Sequence, residues 1–245
     1  MNLVLYSALY GHKEPLNTGV FGPFTSARRV LFTDRTDLEF PGVDIIRDPL
    51  SGLDPARASR RAKLRPHRYF PDQDWSIWLD NKSCLRMDPQ AILAALKSQS
   101  AATFFAFPHF RRACVYQEGQ TVWENGLDDY RTVRERMTTY RAEGMPENAG
   151  LIEGHFIARR HHDPATADFG DRWFEHVLRF SRRDQISFPY LAWKTGFSYD
   201  LITAISRADT VEFAALDRKH RQPDFPRRYR AYQQLRTLWH HLRRQ

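Results

Sequence analysis

The sequence predicts an α/β fold, a layered sheet with helices packed on it and a helical appendage at the C-terminus. Two observations carry the prediction. Strand-like apolar runs alternate with helix-like segments along the chain, the order of a sheet covered by helices. In addition, Trp75-Ser76-Ile77-Trp78-Leu79 runs straight into Asp80-Asn81-Lys82. That reads as a buried central strand delivering a carboxylate and a cation at its carboxyl end, where such sheets bind ligands.

Taken in order, Asn2 to Leu9 forms the first strand, Arg29 to Thr33 the second, ending at Asp34, and Val43 to Arg47 a short third. A helix follows with Asp54 as N-cap and Pro55 in its first turn, stopped by Pro66. Beyond the Trp75–Leu79 strand, Asp88-Pro89 repeats that start signal, and Ile92, Leu93 and Leu96 supply the apolar face. Ala102 to Phe107 is a strand closed by Pro108, and Asp128 to Glu143 a polar helix ended by Gly144. Leu151 to Ala158 reads as strand and Asp171 to Phe180 as helix, with Trp173, Val177 and Phe180 inward. The texture changes near Arg218. From there Tyr232, Leu235, Trp239 and Leu242 recur at helical spacing among arginines. This divides the chain into a domain over 1–217 and a basic amphipathic helical segment over 218–245. The segment suits docking on its own domain, or peripheral contact with an anionic membrane or a partner enzyme.

The 245 residues are 42% hydrophobic and include six Trp, ten Tyr and seventeen Phe, enough for a substantial core. No window approaches the roughly 18 apolar residues of a membrane span, and the N-terminus lacks the pattern of a signal peptide. Cys84 and Cys114 are too few for a disulfide framework. A cytoplasmic setting is expected. The net charge is +8, and only six of the 37 basic residues are lysine. Arginine's planar fork suits phosphate and carboxylate, so an anionic ligand fits, as does non-specific nucleic-acid binding.

Phosphate loops, dinucleotide-binding glycines, nucleophile elbows and zinc-protease motifs are absent. What remains is a set of polar clusters at strand ends: Asp34, Asp80 to Lys82, His109 to Arg112, Glu153 to His161, and Arg182 to Gln185. Acids and cations together on one sheet edge suit an enzyme handling a diphosphate. There cations neutralise the leaving group and a carboxylate positions or deprotonates an acceptor. Arg57 and Arg61 share a helix face that, with Lys63, suits a diphosphate; a solvated basic face is the competing reading. His109, Arg111, Arg183 and Gln185 are further donor-binding candidates. Asp184 leads as catalytic carboxylate and Glu153 follows, although Asp184 also reads as the N-cap of a helix over Ile186 to Trp193. From His161-His162-Asp163, a single histidine, His161, is a tentative metal ligand.

Several short motifs, in order, resemble the glycosyltransferase-like family that includes the plant TOD and mucilage-related proteins. They are Tyr6 to Gly11, Leu31-Phe32-Thr33-Asp34, Arg57 to His67, Ser76 to Asp80, His109 to Glu118, Gly150-Leu151-Ile152-Glu153, and Ser181 to Phe188. The resemblance spans about residues 1–195. It implies a GT-A-like, Rossmann-type mixed sheet that binds a nucleotide-sugar donor at its strand ends and transfers the sugar to a glycan or lipid-linked acceptor, in cell-surface polysaccharide synthesis. Many such enzymes hold Mn2+ or Mg2+ with Asp-x-Asp. Here Asp80-Asn81-Lys82 lacks the second acid, so Asp80 is a partial metal ligand or a ribose contact and Lys82 supplies charge in its place. The rival expectations are a basic nucleic-acid-binding module using the C-terminal arginines and aromatics, and a catalytically inactive GT-A scaffold. A specific nucleic-acid target is not expected.

Overall fold

The computed structural model describes residues 2–214 and Leu235. The proposed C-terminal helix, with Tyr232, Trp239 and Leu242, lies outside the described residues. Among the described residues, nine strands and seven α-helices occur in the order β1 (Leu3–Leu9), β2 (Arg28–Thr33), β3 (Asp44–Arg47), α1 (Pro55–Leu64), β4 (Trp75–Leu79), β5 (Ser83–Leu85), α2 (Pro89–Gln99), β6 (Phe104–Pro108), α3 (Val115–Glu124), α4 (Tyr130–Ala142), β7 (Ile152–Arg159), α5 (Pro164–Arg179), α6 (Asp184–Thr195), β8 (Asp200–Leu201), α7 (Arg207–Thr210) and β9 (Val211–Phe213).

Seven strands form one mixed sheet, in the order β3-β2-β1-β4-β7-β6-β8. β1 to β4 are mutually parallel, whereas β7 runs antiparallel between β4 and β6. The start of β7 therefore lies beside the end of β4. β5 and β9 form a separate antiparallel ribbon. The expected Rossmann-type mixed sheet flanked by helices is what the chain forms.

Alternation along the strands splits the core in two. Val4, Tyr6, Phe32 and Trp78 pack with Ala58, Ala62, Trp173, Val177 and Phe188 of α1, α5 and α6. Leu3, Leu5, Ile77 and Leu79 pack with Ile92, Leu93 and Leu96 of α2. A third cluster joins α3 and α4 to Ile186 of α6. The Asp-Pro starts work as read: Asp54 accepts from the Ala56 and Arg57 N–H groups, and Asp88 from those of Gln90 and Ala91.

Three boundaries differ from expectation. α5 begins at Pro164, capped by Asp163, so a third Asp-Pro start lay in the sequence. α6 has Arg183 in the cap position and Asp184 as its first helical residue, because the Asp184 carboxylate is drawn to cations instead of backbone N–H groups. α3 follows Cys114, which makes no side-chain cap, and so carried no start signal.

Candidate active site

β4 delivers Asp80 at the carboxyl edge of the sheet. Its backbone N–H continues the ladder to the His155 carbonyl at 2.9 Å, and its Oδ1 accepts from Trp78 Nε1 at 2.9 Å. Two ammonium groups flank the carboxylate, Lys63 Nζ at 3.8 Å and Lys82 Nζ at 3.7 Å. Burial alone would raise the Asp80 pKa, but Lys63, Lys82 and Arg60 together hold it below the ordinary range.

Lys63 comes from α1, whose last turn is fixed from beneath. The buried Arg159 guanidinium donates to the Lys63 carbonyl at 2.8 Å, and so does the Tyr6 hydroxyl, also at 2.8 Å. These donors satisfy carbonyls that a helix end leaves open. Lys63 Nζ meets Asp184 Oδ2 in a close ion pair, and Arg60 Nε lies 3.2 Å from Asp184 Oδ1. Asp184 is 2% exposed. Burial works against its charge, yet Arg60 and Lys63 keep it well below the ordinary carboxylate range, hence ionised. Gly154 makes room for the knot, since a Cβ there would stand 2.9 Å from Lys63 Nζ and 3.4 Å from Asp184 Oδ2. Gln185 Nε2 ties α6 to β7 through the Ile152 carbonyl at 3.0 Å.

Glu153 and His155 flank that glycine, where β7 is irregular. Between the pairs Ala106↔Ile157 and Pro108↔Ile152, two steps along β6 face five along β7. Such bulges re-aim side chains next to active sites. Glu153 is 3% exposed, and its Oε2 has no hydrogen-bond partner. His155 Nδ1 lies 3.4 Å and Arg207 Nε 3.7 Å from that oxygen. Burial raises the Glu153 pKa above the ordinary range, against the pull of Arg207, the Phe110 backbone N–H and Lys82. Burial also pushes His155 down to about 3, so the ring is neutral, and its Nε2 is buried without a hydrogen bond.

The rim of the site carries two exposed rings. Arg111 lies 4.8 Å and Arg207 5.5 Å from Phe110, while Arg207 lies 5.6 Å and Lys82 5.5 Å from Phe213.

Of the sequence candidates, Lys63, Asp80, Lys82, Glu153 and Asp184 share this cluster. Arg183 borders it, with charge coupling to Arg60, Asp184 and Asp80, and its Nε is buried without a hydrogen bond. Asp34 stands at the end of β2, where its Oδ1 accepts from the Gly11 N–H at 2.9 Å. His109 shapes the turn after β6 by accepting the Arg112 N–H at 3.1 Å. Arg57 and Arg61 are occupied elsewhere. Arg57 donates to the Phe180 carbonyl at 2.7 Å and pairs with Asp54 at 2.6 Å. Arg61 pairs with Asp48 at 2.7 Å. Arg60, the neighbour of Arg61, is the arginine of α1 that reaches the site. His155 and Arg207 were also unforeseen.

A divalent cation does not fit this donor set. The Asp80 oxygens face two ammonium groups. Lys82 stands where the second acid would, and Asn81 between them is turned inward, with Oδ1 accepting from the Asn17 N–H at 3.1 Å and Nδ2 donating to the Pro15 carbonyl at 3.0 Å. His161 lies beyond the opposite end of β7, its Nε2 3.1 Å from the Phe70 carbonyl, so it and Asp80 cannot share an ion. Among the described residues, no three His, Cys, Asp or Glu side chains converge.

The family model of the TOD1/MUCI70 glycosyltransferase-like domain matches residues 45–215. A probable hexosyltransferase, MUCI70 of Arabidopsis thaliana, is 31% identical over 170 residues, which is 64% of this chain and 29% of the relative. The chain thus spans less than a third of that protein's length. Among solved structures, the apo form of mouse xyloside xylosyltransferase 1 aligns with a TM-score of 0.48 at 10% identity, over 82% of this chain and 85% of the other. The galactosyltransferase LgtC with donor and acceptor sugar analogs aligns at 0.44 and 13% identity, over 77% and 70%.

Proposed function

The chain belongs to the TOD1/MUCI70 glycosyltransferase-like domain family, and from that membership we propose that it is a GT-A-type glycosyltransferase. It moves a hexosyl group from a nucleotide-diphosphate donor to a hydroxyl of a glycan or lipid-linked acceptor. One observation carries the reading: two buried carboxylates of opposite electrostatic character, Asp184 and Glu153, stand with Asp80 and several cations at the carboxyl edge of the sheet. A nucleic-acid module has no use for buried acids beside its ligand. The name of the plant relative, probable hexosyltransferase, supports a hexosyl donor.

The bond between the anomeric carbon and the phosphate oxygen breaks, and the nucleoside diphosphate leaves with the electron pair. The acceptor hydroxyl oxygen forms the new glycosidic bond, and its proton passes to Glu153. A carboxylate with a raised pKa and its nearest cation 3.7 Å away suits that task, whereas Asp184 is already neutralised by Arg60 and Lys63 and serves to position them. Asp80, held ionised, accepts hydrogen bonds from ribose or sugar hydroxyls. Lys82 at the rim stabilises the departing diphosphate without a metal. No helix among the described residues is long and apolar enough to cross a membrane. We place the reaction in cell-surface polysaccharide assembly, on the cytoplasmic side.

Titration calorimetry with UDP, GDP and ADP and their sugar conjugates, with and without Mn2+, tests this reading. At least one nucleoside diphosphate binds, and Asp80→Ala loses affinity while its circular dichroism spectrum is unchanged. A folded Asp80→Ala protein with unchanged donor affinity and transfer would overturn the assignment.

A further inference from the structure

Arg207 is held differently from Arg112 and Arg60. Arg112 meets Glu118 at 2.6 Å, and Arg60 donates to Asp184 at 3.2 Å. Arg207 stands 3.7 Å from Glu153, beyond hydrogen-bond reach, and rests against the faces of Phe110 and Phe213. Aromatic faces hold a guanidinium while leaving its N–H groups free for an anion. Its position is nevertheless set by the fold. Ser206 caps α7, and β9 pairs with β5 so that Phe213 faces Ser83. The Ala214 N–H donates to the Lys82 carbonyl at 2.8 Å. Lys82 and Arg207 thereby share the Phe213 ring, with side chains 44% and 35% exposed, above the partly exposed Asp80 and the buried Glu153.

Two half-exposed cations around one ring form a site in want of an anion with two charged centres. Resting on the glycosyl-transfer reading, we propose that Arg207 and Lys82 clamp the donor's diphosphate across Phe213, and that the clamp draws Arg207 away from Glu153. Donor binding then frees the carboxylate that takes the acceptor's proton, so donor binds before acceptor. The groups facing Glu153 are His155, Arg207, Lys82 and the Phe110 N–H; of the two cations Arg207 is the one within 4 Å, at 3.7 Å, and its departure costs no hydrogen bond.

The test compares nucleoside di- and monophosphates in EDTA, using the base that wild type prefers. Arg207→Met weakens the diphosphate by about tenfold, the scale of one charge-assisted contact, and leaves the monophosphate near wild type. Arg207→Lys falls between. The pH profile supplies a readout that a structural role would not move. In free enzyme, loss of the cation moves the acid limb of kcat/KM for the donor to higher pH. With donor saturating, the kcat limbs of wild type and variant coincide, because the diphosphate has already drawn Arg207 off. If wild type binds no nucleoside diphosphate, the glycosyl-transfer reading fails and takes the clamp with it. If wild type binds one and both variants keep its ratio of diphosphate to monophosphate affinity, the clamp alone is overturned. Should Arg207→Met not fold, Arg207→Lys and Lys82→Met decide by the same ratio.

Discussion

Asp184 and Glu153 are equally buried carboxylates on either side of Gly154, yet their surroundings could hardly differ more. Asp184 faces two cations that come from α1 with the spacing of one helical turn. Glu153 faces a neutral imidazole at 3.4 Å and a guanidinium that stops short of it at 3.7 Å. A buried charge that is fully paired is inert and holds its neighbours in place. A buried acid left short of partners is poised to exchange a proton. The contrast teaches that burial alone does not mark a catalytic carboxylate; the partners assign the role.

The sharpest way to break this comparison is at Glu153. Glu153→Gln should cut turnover by about 10²–10⁴-fold, the usual weight of a general base, with nucleoside diphosphate affinity preserved. In wild type, activity falls as pH drops through a limb lying above the ordinary glutamate value, because the base must be ionised and burial raises its pKa. His155, down at about 3, adds no limb at neutral pH. Steady-state profiles check both points. Glu153→Gln turning over at the wild-type rate would return the role to Asp184.

Stability should respond with opposite signs at the two acids. Asp184→Asn leaves Lys63 and Arg60 buried beside a neutral group, so it should destabilise by about 3–5 kcal/mol, as breaking a buried pair does. The folded-state pKa of Asp184 is depressed. Its contribution is therefore complete above the unfolded value, near 4, and disappears only as pH falls through the lower folded value. The Glu153 pKa is raised, so at neutral pH its charge weighs against the fold, and Glu153→Gln should melt at or above wild type. Thermal melts at pH 7 settle the signs.

Between the two, Gly154→Ala pushes a methyl toward Lys63 Nζ. A loss of about 1–3 kcal/mol is expected from this overpacking, read as a lower denaturant midpoint. An unchanged midpoint would show that the knot yields freely and that Lys63 is not fixed by it.

The sequence made some of this plain and hid the rest for physical reasons. Asp80 was legible because a buried strand ending in an acid is a local pattern, and Asp54-Pro55 and Asp88-Pro89 were legible because a cap acts within one turn. Asp163-Pro164 carries the same signal, overshadowed by the adjoining His161 and His162, of which His161 suggested a metal ligand. The phase of α1 was not legible: spacing showed that Arg57 and Arg61 share a face, and only packing against α5 shows that Arg60 and Lys63 are the pair turned to Asp184. Glu153 was legible as an acid at a strand end, whereas the place of His155 depends on an irregularity in β7 that leaves no period. Arg207 and Phe213 sit in a helix of four residues and a strand of three, too short to show any pattern.

The smallest effect expected concerns charge at the rim. Lys82 stands where a second aspartate would complete a metal motif, and its ammonium lies 3.7 Å from Asp80. Transfer activity in EDTA should therefore persist, since Lys63 and Lys82 already balance Asp80. Lys82→Met removes one half-exposed charge and should lower activity in EDTA by about tenfold, the weaker end of a contact to a charged group. Because Asp80 then keeps only the buried Lys63 close by, added Mn2+ should restore part of the loss in Lys82→Met and do little for wild type. Complete loss of wild-type activity in EDTA, with no effect of Lys82→Met, would show that the ammonium does not take the place of a metal and that Asp80 recruits an ion with the donor.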